Sequence, residues 1–255
     1  MESDVGDQRR FPVRRVPAGA DASPLPVGAA TDLPVGPDDE DRGGAVLDEL
    51  LDETGTLAFL VVHKDRLVYE RYFGGSDRRT LETSFSVAKS FVSALVGIAI
   101  DEGVIGGVED PVTDYLPELA ARDPRFREIT LRDLLTMSSG IRYRESDLPW
   151  PWSDDTYTYY GVNLREAALA QTRVERPPRQ AWHYNNNHHP LLLGLVLERA
   201  TGMSVSDYQA VAAAGSPKRC HLESRLRAIG VRETGERPQR HGRRLRGSPG
   251  VTCAA

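Results

Sequence analysis

Apolar positions over residues 57–73 gather into two short runs. Leu57-Ala58-Phe59-Leu60-Val61-Val62 is followed, after His63-Lys64-Asp65, by Arg66-Leu67-Val68-Tyr69-Glu70-Arg71-Tyr72-Phe73. Aromatic and β-branched residues on both sides of a polar break predict two strands joined by a hairpin turn. Just before them, residues 45–51 carry a short amphipathic helical pattern. Beyond them the period changes: Val87, Phe91, Ala94, Leu95, Ile98 and Ala99 recur at helical spacing over 86–103. That segment is apolar on most faces, which predicts a core helix, and Gly103 stands where a C-cap belongs. Further helices are predicted over 131–137, 164–171 and 191–201, the last closed by Gly202. Residues 149–160, with Trp150, Trp152, Tyr157, Tyr159 and Tyr160, have the look of a long aromatic loop, a feature more often functional than filler. Residues 1–42 are rich in Pro, Gly, Ala and Asp without periodicity, which predicts an unfolded leader. After Tyr208 the pattern collapses again. The expected organisation is a leader over 1–42, a folded part over 43–210 and a non-native tail over 211–255.

The chain has 255 residues, 40% of them hydrophobic, enough to bury a substantial core. Its net charge of −5 gives no reason to expect nucleic acid as a partner. Charge is unevenly spread, however: residues 216–255 hold ten Lys/Arg against three Glu, a balance of +7, leaving −12 for the rest. Both cysteines, Cys220 and Cys253, lie in that tail, so 1–219 has no disulfide framework or thiolate metal site. The polar opening Met1-Glu2-Ser3-Asp4 is unlike a secretory signal, and no apolar run is long enough to span a bilayer. A soluble, cytoplasmic protein without membrane partners is expected.

Chemistry enters with Ser86-Val87-Ala88-Lys89. A serine and a lysine three residues apart at a helix start share one face, so the ammonium can lie beside the hydroxyl. Desolvation lowers a lysine's pKa, and helix N–H groups can receive a developing oxyanion, so the pattern suits an activated nucleophile. The alternative is a lysine that carries its ammonium to solvent. Against that alternative stands Tyr184-Asn185-Asn186, after Trp182-His183 and before a helical run. A phenolate beside an ammonium can shuttle a serine's proton, and an amide two residues on can hold a substrate carbonyl. His183, His188 and His189 share no ligand spacing with a carboxylate or cysteine, which predicts a polar loop flanking a site and no metal.

These blocks resemble a known family. Thr83-Ser84-Phe85 with Ser86-Val87-Ala88-Lys89, Asp110-Pro111-Val112-Thr113-Asp114-Tyr115-Leu116-Pro117, the segment from Leu131-Arg132-Asp133 to Ser139-Gly140, and Tyr184-Asn185-Asn186 through Ala200-Thr201-Gly202-Met203 look like the class C β-lactamase-related, penicillin-recognising serine hydrolases. That group includes esterases and 6-aminohexanoate-oligomer hydrolases. The resemblance covers about 45–210. It implies an α/β (α+β) β-lactamase/transpeptidase-like fold, here incomplete, with an all-helical lobe and only the first strands of the antiparallel sheet. It also implies Ser86 as acyl-accepting nucleophile, Lys89 as its proton partner, Tyr184 as general acid/base and Asn186 as a substrate-orienting amide. Trp182 and Tyr160 are expected to bind substrate, the latter within an aromatic wall shared with Tyr157, Tyr159, Trp150 and Trp152. The implied substrate is a small ester, amide or β-lactam, with no metal or organic cofactor. A non-catalytic ligand-binding module of the same fold is the rival reading.

Two departures from the family pattern stand out. Pro178-Arg179 occupies the place of the usual Pro-Gly, putting a residue that resists positive φ in a turn. The third motif, a Lys-Thr-Gly or His-x-Gly segment on an edge strand, has no counterpart; Glu53-Thr54-Gly55 and Glu233-Thr234-Gly235 are chance strings. Either a basic disordered tail or a shifted reading frame would explain the segment after Tyr208, and the shifted frame, which would also account for the second departure, is the favoured expectation. Permitted codons for residues 236–247, read one base later, give Ser-Gly-Leu-Asn-Ala-Thr-Ala-Ala-Asp-Tyr-Ala, which resembles the family's segment after its tyrosine block.

Overall fold

The computed structural model describes residues 13–17, 25–28, 43–145, 153–161 and 163–215, and leaves the side chains of 43–46, 160, 214 and 215 outside that description. The chain divides into two compact units, one formed by residues 1–13 and 21–83, the other by 14–20 and 84–255.

In the first unit α1 (Gly43–Glu53) precedes an antiparallel hairpin of β1 (Ala58–His63) and β2 (Arg66–Tyr72). Lys64 and Asp65 both take positive φ, 49° and 59°, the geometry that a two-residue hairpin turn requires. Leu51, Leu67 and Tyr69 form the buried patch, and the Tyr69 hydroxyl donates to Asp48 on α1. Residues 26–28 bond to Leu67 on the outer edge of β2. Thr54 and Gly55 sit in the turn that ends α1, so Glu53-Thr54-Gly55 is no strand motif.

The second unit is helical among its described residues. It runs through α2 (Ala88–Asp101), α3 (Pro117–Arg122), α4 (Leu131–Leu135), α5 (Asp154–Tyr160), α6 (Leu164–Gln171), α7 (His188–Thr201) and α8 (Val205–Gly215). α7 is the central element and packs against α2, α4, α6 and α8. Val96 and Ala99 of α2 meet Leu192, Val196 and Leu197 of α7 in one core that also takes in Ile105, Leu116, Phe126, Ile129 and Leu134. Gly202 ends α7 with φ +71°, a left-handed cap that only glycine adopts without strain. No described helix is long and apolar enough to cross a membrane.

Three sequence expectations change. Only the C-terminal part of α2 is core: Phe91 in its first turns, and Phe85 and Val87 in the turn that precedes it, are exposed. The aromatic segment is not all loop, since residues 154–160 form α5 behind a Ser153 cap whose oxygen accepts from Thr156 N. α8 continues to Gly215, seven residues past Tyr208, through the alanine-rich stretch Ala210–Ala214, alanine being the strongest helix former. Residues 216–255 and most of 1–42 lie outside the described residues.

Candidate active site

Ser86 lies in a single 3-10 turn, Phe85–Val87, that leads directly into α2. Phe85 enters this turn with φ +43°, a left-handed conformation that is costly for a bulky side chain. The strained residue thus immediately precedes the exposed Ser86 hydroxyl, a feature no sequence pattern signals.

One turn along α2, half-buried Lys89 reaches back so that its Nζ donates to Ser86 Oγ at 3.0 Å. The same ammonium donates to Asn186 Oδ1 at 3.0 Å and lies 5.2 Å from the centre of the Tyr184 ring. Tyr184 Oη donates to Ser86 Oγ at 2.9 Å. The Tyr184 phenol is held below its ordinary pKa, first by its hydrogen bond with Ser86 and, after an opposing effect of burial, by the Lys89 ammonium. Both favour the phenolate, which would accept the serine proton. One hydroxyl is therefore flanked by a cation and a phenol at hydrogen-bond distance, geometry suited to proton transfer off a nucleophile.

The tyrosine block is held in place by its own asparagines. Buried Asn185 donates to Ile141 O at 3.2 Å and accepts from the N–H groups of His188 and His189, so its side chain caps α7. Asn187 donates to Tyr143 Oη at 2.9 Å and to Thr158 Oγ1 at 2.8 Å. Tyr143 in turn donates to Asp155 at 2.6 Å. Its phenol is pushed well above the ordinary value, first by burial and then by Asp155, so it remains a donor.

The structure brings together Ser86, Lys89, Tyr184 and Asn186. Trp182 is 70% exposed with its ring 6.4 Å from that of Tyr184, an apolar surface beside the cluster. The Tyr160 side chain and residues Trp150 and Trp152 lie outside the described residues. Tyr159, reached by Asn186 Nδ2 at 3.2 Å, joins the site as a direct neighbour of its polar cluster.

His188 and His189 are not on a polar loop: they form the first turn of α7 and are buried. Asn185 makes this possible by satisfying the helix's leading N–H groups away from water. His189 Nε2 pairs with Ser139 Oγ at 2.6 Å and Nδ1 faces Met137 Sδ at 3.1 Å, which satisfies a neutral ring. Desolvation, followed by the neighbouring His188 and His183, lowers its pKa to about 3. Among the described residues, no group of three or more His, Cys, Asp or Glu could hold a metal ion.

Arg179 takes the positive φ that its place demands, +67°, and its N–H bonds Ser138 O at 2.7 Å. Its side chain offers compensation: Nε stands 3.6 Å from Oδ1 of Asp133, a carboxylate that is 1% exposed.

Comparison with known proteins bears on the whole arrangement. The family model described as Beta-lactamase matches residues 45–210. A 6-aminohexanoate-dimer hydrolase of Paenarthrobacter ureafaciens is 44% identical over 102 residues, 39% of this chain and 24% of the relative. A Dichelobacter nodosus protein assigned to fimbrial assembly, FimD of serogroup H1, is 30% identical over 177 residues, 66% of this chain and 43% of the relative. A solved structure from Bacillus anthracis, assigned as a 6-aminohexanoate-dimer hydrolase, has 26% identity and a TM-score of 0.56, covering 75% of this chain and 52% of that one. The chain thus spans about a quarter to about a half of the length of these relatives.

Proposed function

The chain belongs to the beta-lactamase family, with its β-lactamase/transpeptidase-like fold, and from that premise we propose that it carries the acylation machinery of a serine hydrolase. The observation that supports this reading most directly is the convergence of Lys89 Nζ and Tyr184 Oη on Ser86 Oγ, at 3.0 Å and 2.9 Å. Tyr184, as phenolate beside the Lys89 ammonium, takes the Ser86 proton while Oγ attacks the carbonyl carbon of an ester, amide or β-lactam. The tetrahedral intermediate collapses when Tyr184 returns that proton to the leaving oxygen or nitrogen, which leaves acyl-Ser86. Water, deprotonated by Tyr184, then attacks the acyl carbon, and the bond from that carbon to Oγ breaks as Tyr184 returns the proton to Ser86 Oγ, which releases the acid. Asn186 orients the substrate through its amide, and exposed Trp182 contributes apolar surface.

Substrates on the amide side are favoured by the hydrolases of 6-aminohexanoate dimer among the relatives. A non-catalytic module of the same fold would bind such molecules without forming a covalent bond. The distinguishing experiment is rapid mixing with p-nitrophenyl acetate. A burst of p-nitrophenol with one acetyl group on the Ser86 peptide is expected, and Ser86→Ala should remove both. Nitrophenol release at an equal rate from the alanine variant would overturn the proposal.

A further inference from the structure

The tyrosine block lies along residues 137–143. Met137 O accepts from His183 N at 2.9 Å, and Ile141 O accepts from Asn185 Nδ2 at 3.2 Å. Tyr143 O stands 3.0 Å from His183 Nε2. His183, the residue before Tyr184, is therefore held twice, by its main chain and by its side chain. A carbonyl oxygen only accepts, so Nε2 carries a ring proton and donates it.

Both anchors are firmly set. Tyr143 is buried, and its hydroxyl bonds Asp155 on α5. Met137 holds φ +58°, a left-handed conformation that persists in a bulky residue only where the surroundings enforce it. With one anchor on Met137 and the other on Tyr143, both the backbone position and the side-chain direction of residue 183 are fixed, and so is the direction in which the chain enters Tyr184. The work of Tyr184 requires that precision: its Oη must stay 2.9 Å from Ser86 Oγ, with the ring centre 5.2 Å from Lys89 Nζ.

We propose that His183 is a positioning residue for Tyr184, its Nε2–H on the Tyr143 carbonyl holding the phenol against Ser86. The proposal rests on Ser86 being the nucleophile and on Tyr184 taking its proton. Without the side-chain anchor, residue 183 keeps its bond to Met137 alone, and the chain can turn so that Oη leaves Ser86. A displacement of about 1 Å at a reacting group can cost about 10²-fold in rate.

The test compares the full chain with His183→Leu, which has no donor, and His183→Gln, whose side-chain amide offers an N–H at similar reach. Rapid mixing with p-nitrophenyl acetate gives burst amplitude, limiting acylation rate and half-saturation. In His183→Leu the limiting rate should fall about 10- to 100-fold, with burst amplitude and half-saturation unchanged. The pH of half-maximal rate should rise, because the phenol leaves the Ser86 hydrogen bond and the Lys89 ammonium that hold its pKa down. His183→Gln should recover both the rate and the pH midpoint. If His183→Leu does not fold, His183→Phe, which keeps a flat ring without the donor, is read in its place. A smaller burst at unchanged rate and pH midpoint is what a merely structural histidine gives, and it would overturn the assignment. A glutamine variant as impaired as the donorless one would do the same. If the wild type gives no burst, the nucleophile reading fails, and the His183 assignment is decided without catalysis. The Tyr184 Cζ resonance of tyrosine-labelled protein, identified with Tyr184→Phe, is then followed against pH. A midpoint raised in the donorless variant and restored in His183→Gln upholds the assignment, and an unchanged midpoint rejects it.

Discussion

Lowering the pH from 7 to 5 should cost the helical unit about 2 kcal/mol through His189 alone. The ring is buried at the start of α7, and its pKa falls from 6.5 to about 3, chiefly by desolvation. A base with a depressed pKa in the fold binds its proton preferentially in the unfolded chain. Stability is therefore complete above pH 6.5 and is lost as pH falls toward 3, the unfolded state gaining the proton first. Each pH unit in that window is worth about 1.4 kcal/mol, and pH 5 lies 1.5 units below the unfolded value of 6.5. His188, buried next to it and also shifted down by desolvation, acts in the same direction. The assay is urea unfolding followed by circular dichroism at 222 nm at pH 7, 6 and 5, with the His189→Gln variant alongside. The variant should be less stable at pH 7, having lost the Ser139 pairing, but its stability should fall by about 2 kcal/mol less between pH 7 and 5. A wild-type stability that does not change over this range, or an equal fall in the variant, would refute the reasoning.

Other perturbations test the loops around the site. Gly140→Ala should destabilise the unit by at least about 2 kcal/mol, because φ is +74° and the added Cβ would approach Arg176 O to 2.1 Å; unchanged denaturation would show that the turn can shift. Arg179→Gly relieves a positive φ but strips the buried Asp133 oxygen of its cation. A net loss of about 1 kcal/mol or more is expected, and a more stable variant would show that strain outweighs the ion pair. Nucleotide sequencing over codons 208–255 tests the frame shift expected from residues 236–247. A continued open frame one base later, carrying a Lys-Thr-Gly or His-x-Gly motif, is expected, and a stop codon without such a motif contradicts it.

What the sequence revealed followed from period and spacing. The hairpin, α6, α7 and the Gly202 cap stood out because apolar period, length and glycine position agreed. The four blocks also carried the family, and with it the fold, now shown by the match over 45–210. Ser86 and Lys89 share a helix face by arithmetic. Tyr184 and Asn186, 95 or more residues away, could be joined to them only by resemblance, since spacing along the chain says nothing about approach in space.

Elsewhere local preference lost to tertiary context. The seven residues of α5, among them Thr156, Thr158 and three tyrosines, are poor helix formers next to two prolines, and a cap and the Asn187 bonds hold them in place. His188 and His189 look like loop residues because their burial depends on the side chain of Asn185. The Arg179 substitution marked a strained place from sequence alone, but its relation to Asp133, 46 positions away, was invisible there. Phe85 carries no sequence signal at all: its positive φ is imposed by the turn that presents Ser86.

In the proposed function Ser86 is a nucleophile activated by Lys89 and Tyr184. The most direct measurement is stoichiometric labelling with a fluorophosphonate, followed by intact mass and peptide mapping, on wild type, Ser86→Ala and Lys89→Ala. Labelling tests the nucleophile even where later steps are slow. One phosphonyl group is expected on the Ser86 peptide of the wild type and none on either variant. Equal labelling of the Ser86→Ala protein, or no labelling of the wild type, would contradict it.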